Sequence, residues 1–247
     1  MIRVTDISKS FDGFDVLKGV SFDFMKGKTN LIIGESGSGK SVLSKCIVGL
    51  YKPDSGQVWY NEDELTKMDK QALRALRKKI GMLFQGSALF DSLSVEENVM
   101  FPLNMFTNQS EEEKRDRANF CLKRVRLENK NHLYPAELSG GMQKRVGIAR
   151  AIALQPAYLF CDEPNSGLDP KTSIVIDNLI QDITEEYEMT TVVITHDMNS
   201  VLEIGDNICF IHQGQKWWEG DSQDILKTDN PELLNFVYAS KLMKRLR

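Results

Sequence analysis

Gly34-Glu35-Ser36-Gly37-Ser38-Gly39-Lys40-Ser41 is the stretch from which the fold is read. Immediately before it, Asn30 to Ile33 reads as an apolar strand, and after Lys40 the period changes. Leu43, Cys46, Ile47 and Leu50 recur at the i, i+3, i+4, i+7 spacing of one helix face. Strand, glycine loop and helix thus follow in the order a phosphate-binding loop requires. Glycines are needed because consecutive backbone N–H groups must turn inward around phosphate oxygens, where side chains would obstruct them. Lys40 suits the β and γ phosphates, and Ser41, opening the helix, suits a Mg2+ ion beside the positive helix end. A flexible Gly/Ser turn is the alternative, yet such a pattern arises by chance in on the order of one per cent of chains this long.

Strands are predicted upstream at Arg3 to Ser8 and at Val16 to Phe24. Downstream, Pro53-Asp54-Ser55-Gly56 marks a turn before a short strand, Gln57 to Tyr60. A strand at Lys79 to Phe84 precedes a helix-rich middle. There Ser110 and Glu113 form a capping box ahead of Ala118, Cys121, Leu122 and Val125. A further helix is predicted from near Gly140, with Val146, Ala149 and Ala153 turned inward. Strand character returns at Ala157 to Cys161, Thr190 to Thr195 and Asn207 to His212. Between the first two lies a helix with Ile176, Leu179, Ile180, Ile183 and Tyr187 on one face, started by Asp169-Pro170. Alternating strands and helices imply an α/β core with a mostly parallel sheet and an inserted helical lobe.

Composition sets bounds on function. The 247 residues carry 31 basic and 35 acidic side chains, a net charge of -4, which argues against a duplex nucleic-acid binder. No window approaches the roughly 20 uncharged apolar residues of a membrane-spanning helix. Met1-Ile2-Arg3-Val4-Thr5-Asp6 lacks the pattern of an export signal, so a cytoplasmic protein is expected. Cys46, Cys121, Cys161 and Cys209 show no Cys-x-x-Cys spacing and sit in apolar runs, as buried free thiols do.

A nucleotide site also needs an acidic strand end. Tyr158-Leu159-Phe160-Cys161-Asp162-Glu163 offers Asp162 for the Mg2+ shell and Glu163 to polarise an attacking water, although two carboxylates can also be a plain solvated strand exit. With Lys40 upstream, the nucleotide site is the better reading.

Leu138-Ser139-Gly140-Gly141, about a hundred residues beyond the glycine loop, completes a resemblance that covers nearly the full length. The chain resembles the nucleotide-binding subunits of ATP-binding-cassette (ABC) transporters. That resemblance implies a P-loop NTPase fold, with a RecA-like core, an antiparallel β subdomain and an inserted α-helical subdomain. It implies residues 1–85 and 156–220 as the core, 86–155 as the helical subdomain and 221–247 as a C-terminal extension reaching a neighbouring subunit. Gly34 to Ser41 would bind ATP, while Ser139, Gly140 and Gly141 would complete the site of an opposite copy; taken alone they are an ordinary helix-capping loop. Phe11 matches the aromatic that stacks on adenine, though a Phe after a strand also suits a core. Gln85 matches a glutamine touching Mg2+ and water, and His196 a switch histidine contacting the γ phosphate. Asp169, in Ser166-Gly167-Leu168-Asp169, matches the loop crossing between subunits and also suits a helix cap. His132 and His212 match nothing.

Within the class, Phe84-Gln85-Gly86-Ser87-Ala88-Leu89-Phe90-Asp91-Ser92-Leu93-Ser94-Val95 is similar to the corresponding region of ATPases that drive phospholipid traffic, notably the maintenance-of-lipid-asymmetry group. Met142, where most cassette ATPases carry Gln, points the same way; Asn165 and Ser166 depart from the usual residues. The resemblance implies an ATP-hydrolysing homodimer joined through its ATP sites, peripheral on the cytoplasmic face of the inner membrane. Its implied partners are permease subunits on separate chains and a lipid-binding protein. Amino-acid, metal-chelate or lipoprotein-release transport are rival cargoes. A non-transport cassette protein is a rival of another class, but it would usually bring a coiled coil or a second cassette. The tail is expected to hold a helix from Asn230-Pro231-Glu232, ending in the basic Lys241, Lys244, Arg245 and Arg247.

Overall fold

In the computed structural model, which describes residues 1–238, the chain opens with an antiparallel ribbon of β1 (Ile2–Phe11) and β2 (Phe14–Phe24). Both strands run further than the alternation in the sequence predicts. The reason is Asp12-Gly13: both residues have positive φ (50° and 80°), the geometry of a two-residue hairpin turn whose twist matches the strands it joins. β3 (Thr29–Ile33) is buried along its whole length, as a strand covered on both faces must be. It leads through the glycine loop into α1 (Lys40–Ile47). That helix ends earlier than its apolar period suggests. Gly49 takes φ 71°, its N–H donates to the Cys46 carbonyl at 3.2 Å and that of Leu50 to the Lys45 carbonyl at 2.8 Å, a left-handed C-terminal cap. Leu50, predicted on the inner face, is therefore 54% exposed. β4 (Ser55–Tyr60) and β5 (Asp63–Glu64) complete a sheet of order β2-β1-β4-β5. A turn of 3-10 helix at Leu65–Lys67 then precedes α2 (Lys70–Lys78).

Next come β6 (Ile80–Leu83), α3 (Val95–Phe106) and α4 (Glu111–Arg124). The predicted Ser110–Glu113 capping box starts α4, and an equivalent Ser94–Glu97 box starts α3. α5 (Gly140–Ile152), β7 (Tyr158–Asp162) and α6 (Pro170–Glu186) follow. β6 and β7 pair in parallel, with Leu83 opposite Cys161. Gly81 lets α5 lie directly on β6, because a Cβ there would sit 2.4 Å from the Ala151 carbonyl oxygen.

The remaining elements are β8 (Thr190–Thr195), α7 (Met198–Ile204), β9 (Asn207–His212), β10 (Gln215–Gly220) and α8 (Pro231–Val237). β3 lies between β8 and β9, parallel to both, and β10 returns antiparallel to β9. Buried Asn30 ties the starts of these strands together. Its side-chain amide donates to the Thr191 carbonyl at 3.0 Å, and its oxygen accepts from the Asn207 amide at 2.8 Å. Two compact units result, one formed by Met1–Leu73 with the chain from Thr190, the other by Arg74–Met189.

All four cysteines are buried and unpaired, and burial pushes the Cys46 and Cys121 thiols up to about 11 and Cys161 to about 12. No described helix is long and apolar enough to cross a membrane. The tail helix starts where predicted, with Asn230 as cap and Leu233 and Val237 buried, whereas Lys241, Lys244, Arg245 and Arg247 lie outside the described residues.

Candidate nucleotide site

Backbone conformation and close packing against distant segments explain each glycine of the first loop. Gly34 has φ 147°, and a Cβ on it would lie 2.2 Å from the Ile211 carbonyl oxygen and 2.9 Å from Ser38 Oγ. Gly39 has φ 107°, with Leu17 Cδ2 at 2.9 Å and the Val16 carbonyl at 3.0 Å from such a Cβ. Gly37, at φ 81°, has open space around it, so only its conformation calls for glycine. The buried Lys40 ammonium donates to the Gly34 and Glu35 carbonyls, each at 2.8 Å. It is thus stored beneath the loop, beside the place where phosphate oxygens would enter. No side chain caps the first N–H groups of α1, and Ser41 in its first turn is exposed.

Glu35 to Ser38 form one wall of a cleft of about 380 Å³. Phe14, Lys18 and His212 line the rest with their neighbours. The turn after β9 closes it: the Gly214 N–H donates to the Ser38 carbonyl at 3.2 Å, and the Lys18 N–H to that of Gly214 at 2.8 Å. His212, which matched nothing in sequence, stands there with its ring against Phe210 and Trp217. Only the pairing of β9 beside β3 brings it to the loop. Phe11 is 39% exposed at the end of β1, its ring edge-on to Tyr51 at 5.4 Å with Lys9 Nζ 5.3 Å away; it is not part of the cleft wall. His196 is exposed. Ile33 and Thr195 are register partners, so Gly34 and His196 leave the same edge of adjacent parallel strands, where α/β sheets hold their ligands.

In the second unit the register of β6 and β7 does the same for Gln85, Asp162 and Glu163, which emerge just beyond the pair Leu83 and Cys161. Glu163 has φ 48°, a left-handed conformation uncommon outside glycine that turns the chain sharply after the strand. The Lys144 ammonium on α5 donates to the Gln85 carbonyl and, at 3.3 Å, to that of Glu163. Burial lowers its pKa, while the nearby Cys161, Asp162 and Glu163 oppose that shift. Lys144 carried no signal in the sequence, because a side chain serving backbone carbonyls leaves no residue pattern.

Ser139 caps α5, accepting from the Met142 N–H at 3.3 Å, and both Ser139 and Gly140 are exposed. Gly141 is there for packing: a Cβ would lie 2.4 Å from Thr172 Cγ2 on α6. Asp169 does cap α6, accepting from the N–H groups of Lys171 and Thr172 at 3.1 Å and from Thr172 Oγ1 at 2.5 Å. The Thr172 hydroxyl, then its N–H, hold this carboxyl below its usual pKa. Gly141→Ala is expected to cost about 1–3 kcal/mol through overpacking. Adding Thr172→Ser, which removes the opposing methyl and keeps the hydroxyl, should recover at least half of it in urea unfolding. Equal stability of the single and double variants would refute the packing account.

Among known protein families, the ABC transporter family matches residues 17–166. The methionine import ATP-binding protein of Clostridium tetani is 37% identical over 98% of this chain and 76% of its own length. A protein of Mycobacterium leprae named "Probable ribonucleotide transport ATP-binding protein" is 33% identical over 98% of this chain and 70% of its own. Among solved structures, a dimeric ATP-binding cassette in a post-hydrolysis state bound to ADP and Pi superposes with a TM-score of 0.82. It is 35% identical and covers 90% of this chain and 99% of that one. The chain belongs to the ABC transporter family, as one of its ATP-binding, ATP-hydrolysing subunits.

Proposed function

We propose that this subunit works as a homodimer on the cytoplasmic face of the inner membrane, driving permease chains that move phospholipid with the help of a lipid-binding protein. The observation that carries the dimer is the exposed Ser139-Gly140 start of α5: an outward-facing helix N-terminus, whose first-turn N–H groups lack intrahelical partners, suits a γ phosphate held by a second copy. In this reading Lys40 leaves the Gly34 and Glu35 carbonyls for the β and γ phosphates, and Phe11 stacks on the adenine. Glu163 takes a proton from the attacking water, Gln85 and His196 orient that water and the γ phosphate, and Asp169 crosses to the partner copy. Ser41, Asp162 and Gln85 supply the hard oxygen donors that suit Mg2+, which neutralises phosphate charge when bound.

Residues 86–155 act as the helical subdomain between the core segments 1–85 and 156–220, and 221–247 as an extension toward the neighbouring copy. Exposed Phe84, Phe90, Met105 and Phe106 support permease docking near Gln85 to Met100. Phospholipid cargo rests on Met142 and on the stretch Phe84 to Val95. The methionine import relative favours a second reading, amino-acid cargo.

Mild-detergent purification of the complex, followed by ATPase assays with phospholipid or with methionine and its binding protein, separates the two. Copurified phospholipid and lipid-dependent stimulation are expected. Stimulation by methionine alone would replace the lipid reading.

A further inference from the structure

We infer that Lys144 is a positioning residue that fastens the glutamine loop and Glu163 to the helix opened by Ser139, so that movement of one displaces the others. The inference rests on the roles proposed above for Gln85, Glu163 and Ser139. Lys144 lies one turn inside α5 and is 4% exposed. Its ammonium is spent on two backbone carbonyls, those of Gln85 and Glu163, which belong to separate loops. Charge-assisted bonds of this kind are about twice as strong as neutral ones, and removing the donor would strand two carbonyls.

Arg150 holds the same loop from the same helix. Its guanidinium donates to the Ser87 and Ala88 carbonyls, each at 2.7 Å, and those residues have φ 61° and 47°. Two cations roughly 9 Å apart along α5 therefore hold the carbonyls of Gln85, Ser87 and Ala88, the last two residues being left-handed. Gly147 sits between them, and a Cβ there would lie 2.7 Å from Leu83 Cδ1, so α5 packs closely against the Leu83 side chain of β6. A permease pressing on Gln85 to Ala88 must then carry α5 with it, together with its Ser139 end and, through the shared ammonium, the Glu163 backbone.

The test uses the intact complex with its permease, measuring kcat, KM for ATP and the ratio of permease-bound to free ATPase activity. Lys144→Met is expected to lower kcat at least about 30-fold and abolish permease stimulation, with KM within about twofold, the pattern of a lost transition-state arrangement. Lys144→Arg, which keeps the donors, should return kcat to within about threefold of the original. A Met variant with normal kcat and stimulation overturns the inference, as does an Arg variant no better than Met. If the Met variant does not fold, Lys144→Gln carries the test, and undiminished permease stimulation in it counts against the inference. Glu163→Gln is assayed alongside. If it turns over normally, the site reading fails and takes the inference with it. If it is dead while Lys144→Met is normal, only the role of Lys144 fails.

Discussion

Glu163→Gln is expected to bind ATP, hold two copies together and turn over about 10²–10⁴-fold more slowly than the original chain. The amide matches the carboxylate in size and asks nothing new of the φ 48° backbone, so the fold and the Lys144 bond to the Glu163 carbonyl are retained. What disappears is the group able to take a proton from water, a contribution of about 10²–10⁴ in rate for a positioned general base. On the proposed reading bound ATP would then not be cleared, and the exposed Ser139-Gly140 end of the partner would stay on its γ phosphate. Single-turnover hydrolysis of labelled ATP and gel filtration with ATP are the checks. Hydrolysis at the ordinary rate would remove Glu163 from the mechanism. Slow turnover without an ATP-dependent dimer would leave its chemistry standing and deny the sandwich.

Gly34→Ala should weaken ATP binding by more than about 100-fold, or about 2.8 kcal/mol, with a lower melting temperature. Its φ of 147° is closed to side-chain-bearing residues, and the added Cβ would meet a backbone oxygen, that of Ile211, at 2.2 Å. The clash cannot be relieved by a rotamer change. The loop must move, and the Gly34 carbonyl that anchors Lys40 moves with it. Gly37→Ala is the control: its φ of 81° is also strained, but nothing lies within 4 Å, so a cost of about 1–2 kcal/mol is expected. Fluorescent-nucleotide titration and thermal melts separate the two. Equal losses in both variants would mean that conformation alone, and not the approach of β9, makes Gly34 necessary.

Where interactions are local, the sequence spoke clearly. The glycine loop, the Ser110–Glu113 box and the Asp169-Pro170 start of α6 involve residues within a few positions of one another. β3, β7 and β8 were legible because strands buried on both faces read as apolar runs. α3 was not, because Val95 to Phe106 is apolar on most sides and contains Pro102, so no period stands out. α7 has only seven residues, too few to show one.

Taken alone, the chain thus determined its α/β class and its glycine-loop motif, since short-range spacing suffices for both, while its ABC family was legible as a resemblance carried by Gly34 to Ser41 and Leu138 to Gly141. Tertiary structure decided which groups meet those loops. Ile211 against Gly34, Thr172 against Gly141, His212 at the cleft and Lys144 beneath Gln85 and Glu163 are each contacts between distant segments. Their partners are backbone atoms, a methyl group or cleft walls, none of which imposes a residue type at a fixed spacing, and only strand register and helix packing bring them together.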